Sequence, residues 1–299
     1  MAVNGVQLQY LDWGGSGPAL ILIHGLADNP HVFDDLAPAF TSRFHVIAYA
    51  RRGSGNSDVT GPYDVDTLTE DLRGLMDALG IVSADLVGYS AGGDEITAMA
   101  AKYPERVGRL VYFDGGYDWA DPDFKTFIQA LPARSFDPPD EAMMSLAAFR
   151  SYLKTATYPD LGDMGRIEAN FRNKVLIQQD GSLKYRTPKE LLDTLYDAIW
   201  NNKPRDYAHV HCAALAIYAE DLYDLKIADV QRRERLRGYQ QQYWMPFQAK
   251  SIDRIRSELP HVRIAHVPGS HSSFFLTHRR EVVNLLRRFL ESSGQASSQ

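Results

Sequence analysis

Three short runs in the first third of the chain are apolar at nearly every position: ALILIHG (Ala19–Gly25), FHVIAYA (Phe44–Ala50) and ADLVGY (Ala84–Tyr89). A strand with one wet face alternates apolar and polar residues. A strand apolar throughout is buried on both faces, as inner strands of a helix-covered parallel sheet are. Helical periods stand between such runs. Thr67–Leu79 sets Leu68, Leu72, Leu75, Met76 and Leu79 on one side, and GDEITAMAAKYP (Gly93–Pro104) follows the third run. RLVYFD (Arg109–Asp114) reads as a further strand, and VQLQYLDW (Val6–Trp13) as one period-two strand ended by the turn cluster GGSGP. Strands alternating with helices imply an α/β fold with a mostly parallel central sheet flanked by helices.

The rhythm breaks after Asp114. From Tyr117 to Arg205 only KVLIQ (Lys174–Gln178) reads as a strand. The rest is helical in pattern and rich in proline and aromatics: Trp119, Phe124, Phe127, Phe136, Phe149, Tyr152, Tyr158, Phe171 and Trp200. The β signal returns at AALAIYA (Ala213–Ala219) and VRIAHV (Val262–Val267), separated by a charged, helix-like stretch, Tyr223–Leu259. A last helix, Arg280–Ser292, carries Val283, Leu286, Phe289 and Leu290 on one side, and the tail SSGQASSQ reads as frayed. The expected division is a core over 1–116, an inserted, mainly helical cap over 117–205, and the rest of the core over 206–299.

A chain of 299 residues suffices for one large α/β domain carrying such an insertion. The formal net charge of -6 speaks against nucleic acid or an anionic membrane as the main partner. The single cysteine, Cys212, excludes an intramolecular disulfide and reads as a small buried residue. MAVNGVQLQY has neither the basic nor the apolar region of a signal peptide, and no apolar run nears the roughly 20 residues of a membrane span. A cytoplasmic protein is expected; its oligomeric state does not follow.

LVGYSAGGDE (Leu86–Glu95) sets Ser90 between Gly88 and Gly92, with a strand running in and a helix running out. On so sharp a corner the glycines stand where side chains would collide, and the serine is left exposed at the strand ends. A serine hydroxyl needs a base to take its proton and a third group to orient that base. His271, in VPGSHSSFF between the last strand and the last helix, is the one histidine of nine positioned over the strand ends. His24 reads as structural, and His31, His45, His261, His266 and His278 as loop or surface residues. His209 and His211 form an H-x-H without further ligands at suitable spacing, so no metal is expected.

IHGLADN, RRGSGNS, LVGYSAGG and VPGSHSSFF, in this order, resemble the α/β-hydrolase superfamily over nearly the whole chain apart from the cap. The resemblance implies Ser90 as nucleophile, His271 as general base and then acid, and the N–H groups of Leu26 and Ala91 as oxyanion hole. It gives RRGSGNS a structural turn and no chemistry. The family's dehalogenases and epoxide hydrolases carry an aspartate where this chain has Ser90. The third member departs from the pattern. The family's G-x-x-D after the strand AALAIYA is here Ala219-Glu220-Asp221-Leu222, which offers Asp221, Glu220 or Asp224. The end of the strand LVYFDGG offers Asp114, followed by two glycines that permit close approach. Asp114 is favoured, with Asp221 and Asp224 as alternatives, and all keep the order Ser…Asp…His.

The expected function is a cofactor-independent serine esterase that passes through an acyl-enzyme, with lactone or amide as further substrate classes. Its partner would be a small ester-type molecule with an apolar or aryl part, unless the cap aromatics are simply the cap's own core. A proline-iminopeptidase-like aminopeptidase would use the acidic residues Asp118, Asp121, Asp123, Asp137, Asp140 and Glu141 to bind an amine. A C–C hydrolase or hydroxynitrile lyase could use the same three residues. A ligand-binding protein without turnover remains the alternative from another class.

Overall fold

The apolar runs become the inner strands of one seven-stranded sheet in the computed structural model, which describes residues 1–130 and 138–292. Phe136, Asp137 and all but the first residue of the C-terminal tail lie outside the described residues. The strands are β1 (Tyr10–Gly14), β2 (Ala19–Ile23), β3 (His45–Tyr49), β4 (Ala84–Tyr89), β5 (Val107–Phe113), β6 (Ala213–Asp221) and β7 (Arg263–Ser270). Their order is β7-β6-β5-β4-β2-β3-β1, and every neighbouring pair is parallel except β1 with β3. Every residue of β2 and β4 is buried, as continuous apolar runs require.

Alternate side chains feed two cores. Ile21 and Ile23 pack with Leu72, Leu75, Ile96 and Met99, whereas Leu20 and Leu22 pack with Phe33, Phe40, Val282 and Leu286. The first core takes the buried faces of α1 (Val65–Ala78) and α2 (Gly92–Lys102). Asp64 caps α1 by accepting from the Thr67 N–H, worth about 1 kcal/mol.

Between β5 and β6 lie α3 (Pro122–Ala130), α4 (Leu146–Ala156), α5 (Glu168–Lys174) and α6 (Lys189–Trp200). The strand expected at KVLIQ is one arm of a small hairpin in this insertion, Val175–Ile177 with Leu183–Tyr185, apart from the main sheet. After β6 come α7 (Val230–Tyr239), a π-helical turn over Gln240–Trp244, and α8 (Met245–Glu258); α9 (Arg279–Leu290) closes the chain. The single strand read over Val6–Trp13 is two pieces. Val6–Gln7 pairs with Ala2–Val3 outside the main sheet, because the Gln9 N–H turns aside to the Ser57 hydroxyl at 2.9 Å. No helix among the described residues is long and apolar enough to cross a membrane.

The winding reverses between β2 and β4: the chain runs from β2 out to β3 on one side, and from β4 through β5 and β6 to β7 on the other. The crevice beyond the carboxyl ends of two such strands is where open α/β sheets bind ligands.

Candidate active site

That crevice holds Ser90. β4 ends at Tyr89, Ser90 takes a φ of 52°, and α2 begins at Gly92. The corner is closed from all sides. A Cβ on Gly88 would lie 2.5 Å from the Gly92 carbonyl oxygen, and one on Gly92 would lie 2.5 Å from that of Ile23. Only glycine fits at either place.

The ring of His271 reaches Ser90 from the loop after β7, with Nε2 3.1 Å from Oγ. Its Nδ1 lies 2.6 Å from Oδ2 of Asp114, which is fully buried at the end of β5 with a φ of 44°. With Nδ1 against a carboxylate, the proton is assigned there, which leaves Nε2 to accept from the serine hydroxyl. Oδ1 of Asp114 accepts from the Tyr117 hydroxyl at 2.5 Å and from the Ala219 N–H at 3.2 Å. The His271 backbone is fixed too: its N–H donates to the Asp221 carbonyl at 2.8 Å, and its carbonyl accepts from the Tyr89 hydroxyl at 3.1 Å. The rings of Tyr89 and His271 stack at 5.2 Å.

Neither alternative carboxylate is turned to His271. Asp221 Oδ1 accepts from Gln240 Nε2 at 2.5 Å, and Gln240 Oε1 caps the Leu222 and Tyr223 N–H groups. Asp224 accepts from the Lys226 N–H at 3.0 Å, and Glu220 is exposed. The structure thus brings Ser90, His271 and Asp114 into one hydrogen-bonded line and leaves Asp221 and Asp224 out of it.

Leu26 lies in the turn after β2, and Ala91 begins the corner into α2. Neither N–H is taken up by a main-chain carbonyl among the described residues, and a Cβ on Gly25 would lie 2.9 Å from that of Ser90. The turn is braced from below. His24 is fully buried, and burial, with Arg51 beside it, holds its imidazole well below the usual pKa and therefore neutral. Its Nδ1 faces the Gly25 carbonyl at 2.7 Å, and its Nε2 accepts from the Arg51 N–H at 3.3 Å. The Arg51 guanidinium donates to the His24 carbonyl, and burial pushes it down to about 10. Arg52 makes a buried two-pronged bond to Asp71 at 2.6 and 2.7 Å.

The remaining candidates serve structure. Burial pushes the Cys212 thiol up to about 11, so it is not a ready nucleophile. His209 is bonded to Asp206 at 2.8 Å, and no cluster of metal-ligating side chains occurs among the described residues. Asp118 is paired with Arg254, and Asp121 and Asp123 share Lys250, so each of these three carboxylates already has a cationic partner. The insertion's aromatics are mostly packed: Trp119, Phe124 and Phe127 with Trp244 and Phe247, and Phe149 with Phe171. A cavity of about 250 Å³ beside α1 and α2, lined by Asp94, Lys102 and Arg205 among others, includes none of Ser90, His271 and Asp114.

Tyr117, Gln248 and Gln240 stand outside the motifs that mark the site in the sequence. For Tyr117 a signal exists: in DGGYD a tyrosine stands three residues after the aspartate, across two glycines that permit close approach, and its hydroxyl returns to the carboxylate. The glutamines have no local signature.

A family model described as alpha/beta hydrolase fold matches residues 18–205. The 2-(acetamidomethylene)succinate hydrolase of Mesorhizobium japonicum is 35% identical over 159 residues, 52% of this chain and 54% of that protein. The chain spans about half the length of the curated relatives it matches. The crystal structure of E-2-(acetamidomethylene)succinate hydrolase superposes with a TM-score of 0.72 at 22% identity, over 97% of both chains. An enol-lactonase from Burkholderia xenovorans LB400 superposes with a TM-score of 0.64 at 22% identity, over 97% of this chain and 99% of that one.

Proposed function

The chain belongs to the α/β-hydrolase fold family, and from that premise we propose that it is a serine hydrolase cleaving a carboxylic ester or lactone through an acyl-enzyme. The reading rests on one observation: Ser90 Oγ lies 3.1 Å from a histidine nitrogen whose ring partner lies 2.6 Å from a buried carboxylate. Ser90 Oγ attacks the carbonyl carbon while its proton passes to His271 Nε2. Asp114 holds the ring in the tautomer that can accept it and stabilises the imidazolium that forms. The tetrahedral oxyanion turns to the N–H groups of Leu26 and Ala91, each worth ~2.7–4 kcal/mol in the transition state. His271 then gives its proton to the leaving oxygen, and the C–O bond breaks. Water repeats the sequence on the acyl-enzyme: His271 takes one of its protons, the carboxylic acid departs, and Ser90 recovers its proton. No step calls on a cofactor.

Residues 117–205 would act as a cap, the substrate lying between it and the strand ends, with the core formed by 1–116 and 206–299. Amide-type substrates are the second reading, favoured by a relative whose named substrate carries an acetamido group. The test is a fluorophosphonate probe read by intact mass and peptide mapping. One adduct on Ser90, absent from His271→Ala, supports an activated nucleophile, and p-nitrophenyl esters against anilides then divide the two substrate readings. A folded protein that takes no adduct would instead be a ligand-binding member of the family.

A further inference from the structure

Asp114, Tyr117, Gln248 and Ala219 form a closed ring of hydrogen bonds behind His271. The Ala219 N–H donates to Asp114 Oδ1 at 3.2 Å, and the Ala219 carbonyl accepts from Gln248 Nε2 at 3.0 Å. Gln248 Nε2 also lies 2.9 Å from the Tyr117 hydroxyl, which lies 2.5 Å from Asp114 Oδ1. The direction of each bond is forced. A carbonyl can only accept, so the atom of Gln248 facing Ala219 is the amide nitrogen, and that nitrogen can only donate to Tyr117. The Tyr117 proton is therefore left for Asp114.

We propose that Tyr117 is a positioning residue for catalysis at Ser90, acting through Asp114, and that Gln248 on α8 sets the direction of its hydrogen bond. This rests on the reading of Ser90 as nucleophile. A carboxylate can rotate about its terminal torsion and exchange its two oxygens. Two donors on Oδ1 stop that rotation and keep Oδ2 for His271 Nδ1. The Tyr117 ring is itself immobile: it is fully buried among Trp119, Tyr218, Trp244 and Phe247, at centroid distances of 4.9–5.8 Å. Burial and the neighbouring negative charge of Asp114 hold the phenol well above its usual pKa, so it keeps the proton it must donate. The ring also ties the site to the helix after the π-helical turn, which sets Trp244 against His271 at 6.4 Å. Such turns frequently occur at functional sites.

The test uses the whole chain, with Tyr117→Phe and Gln248→Leu. Three quantities are read: the rate at which a fluorophosphonate labels Ser90, kcat and KM on p-nitrophenyl acetate, and the low-field proton resonance of His271 Nδ1–H. Losing one hydrogen bond to a charged group corresponds to a labelling rate and kcat about 10- to 100-fold lower in Tyr117→Phe. KM should stay near wild type and the resonance should move. Gln248→Leu keeps the Tyr117–Asp114 bond but frees its direction, so a smaller loss, of about 2- to 10-fold in kcat, is expected. A merely structural tyrosine would lower Tm and leave kcat and the resonance alone. A Tyr117→Phe protein that labels within twofold of wild type, with the resonance unmoved, overturns the proposal alone. If Tyr117→Phe does not fold, wild-type kcat in Gln248→Leu overturns it. No adduct on wild-type Ser90 overturns the nucleophile reading and this proposal together.

Discussion

Ser90 and Asp114 leave adjacent parallel strands at the same level, and both do so in the left-handed backbone region, at φ 52° and 44°. Their predecessors Tyr89 and Phe113 are register partners, and the Ser90 N–H donates to the Phe113 carbonyl at 3.2 Å. The Asp114 N–H is held by the Ile217 carbonyl at 2.7 Å. A continued strand would send these two side chains out to a face of the sheet. The left-handed step turns each over the strand ends, toward His271. Such a step costs about 1–2 kcal/mol for a residue with a Cβ.

The cost at Ser90 is testable, because glycine adopts the same conformation freely. Ser90→Gly should abolish fluorophosphonate labelling and yet stabilise the protein by about 1 kcal/mol, a rise of roughly 2 °C in Tm. A variant that melts below wild type would mean that the corner is held without strain.

Asp114→Asn keeps the shape of the side chain but presents His271 with the wrong hydrogen-bonding partner. By the behaviour of triad enzymes it should lower kcat on p-nitrophenyl acetate by about 10⁴. Asp221→Asn keeps a side-chain oxygen that can accept from Gln240 Nε2 and changes no group turned to His271, so its kcat should stay within about threefold of wild type. The reverse ranking of the two variants would sink the assignment of Asp114.

What separates these two aspartates shows how far the sequence reaches. The inner strands, Ser90 and His271 are marked by local patterns: continuous apolar runs, a serine between glycines, a histidine in the last strand-to-helix loop. Asp114 is legible as an aspartate at a strand end, but so is Asp221. The difference lies in Gln240, nineteen residues from Asp221, and in Gln248, which is 131 residues from Tyr117. Contacts at such separations leave no periodicity to read. The π-helical turn over Gln240–Trp244 lies inside Tyr223–Leu259, whose sequence pattern is helix-like throughout. Pro246 hints at it, since proline offers no N–H to the preceding turn and crowds its carbonyl. Val6–Trp13 looked like one strand because alternation cannot show that Ser57 diverts the Gln9 N–H.

Gly93, the second glycine after Ser90, is predicted to be intolerant for a reason unrelated to chemistry. A Cβ there would lie 2.0 Å from the Gly115 carbonyl oxygen, and Gly115 is itself wedged against Gly88 and Ser90. Neither backbone can retreat, so Gly93→Ala should cost about 3 kcal/mol, or roughly 5–6 °C in Tm. Gly238, exposed on α7 with nothing within 4 Å of its Cβ position, is the control. Gly238→Ala should gain about 0.5–1 kcal/mol. Thermal melts that rank the two variants the other way would contradict this packing.

Glu95, in the first turn of α2, predicts how stability varies with pH. It is fully buried, its Oε1 accepts from the Tyr49 hydroxyl, and its Oε2 has no partner among the described residues. A helix N-terminus favours a negative charge by about 0.3–1 kcal/mol, but burying an unpaired carboxylate costs several kcal/mol, so the neutral form wins. Burial accordingly pushes this carboxyl well above the ordinary glutamate value of 4.5. Above that pH the unfolded chain gives up the proton while the folded chain keeps it. The unfolded state then binds fewer protons, and stability falls as pH rises, until the folded group also ionises. Glu95→Gln removes the titration. Whatever fixed cost the buried amide brings is the same at every pH. The urea midpoint of the variant, relative to wild type, should therefore rise steadily from pH 4.5 to pH 8. A difference that stays flat across that range would mean that Glu95 is already ionised in the folded protein, and that a cation or solvent reaches Oε2.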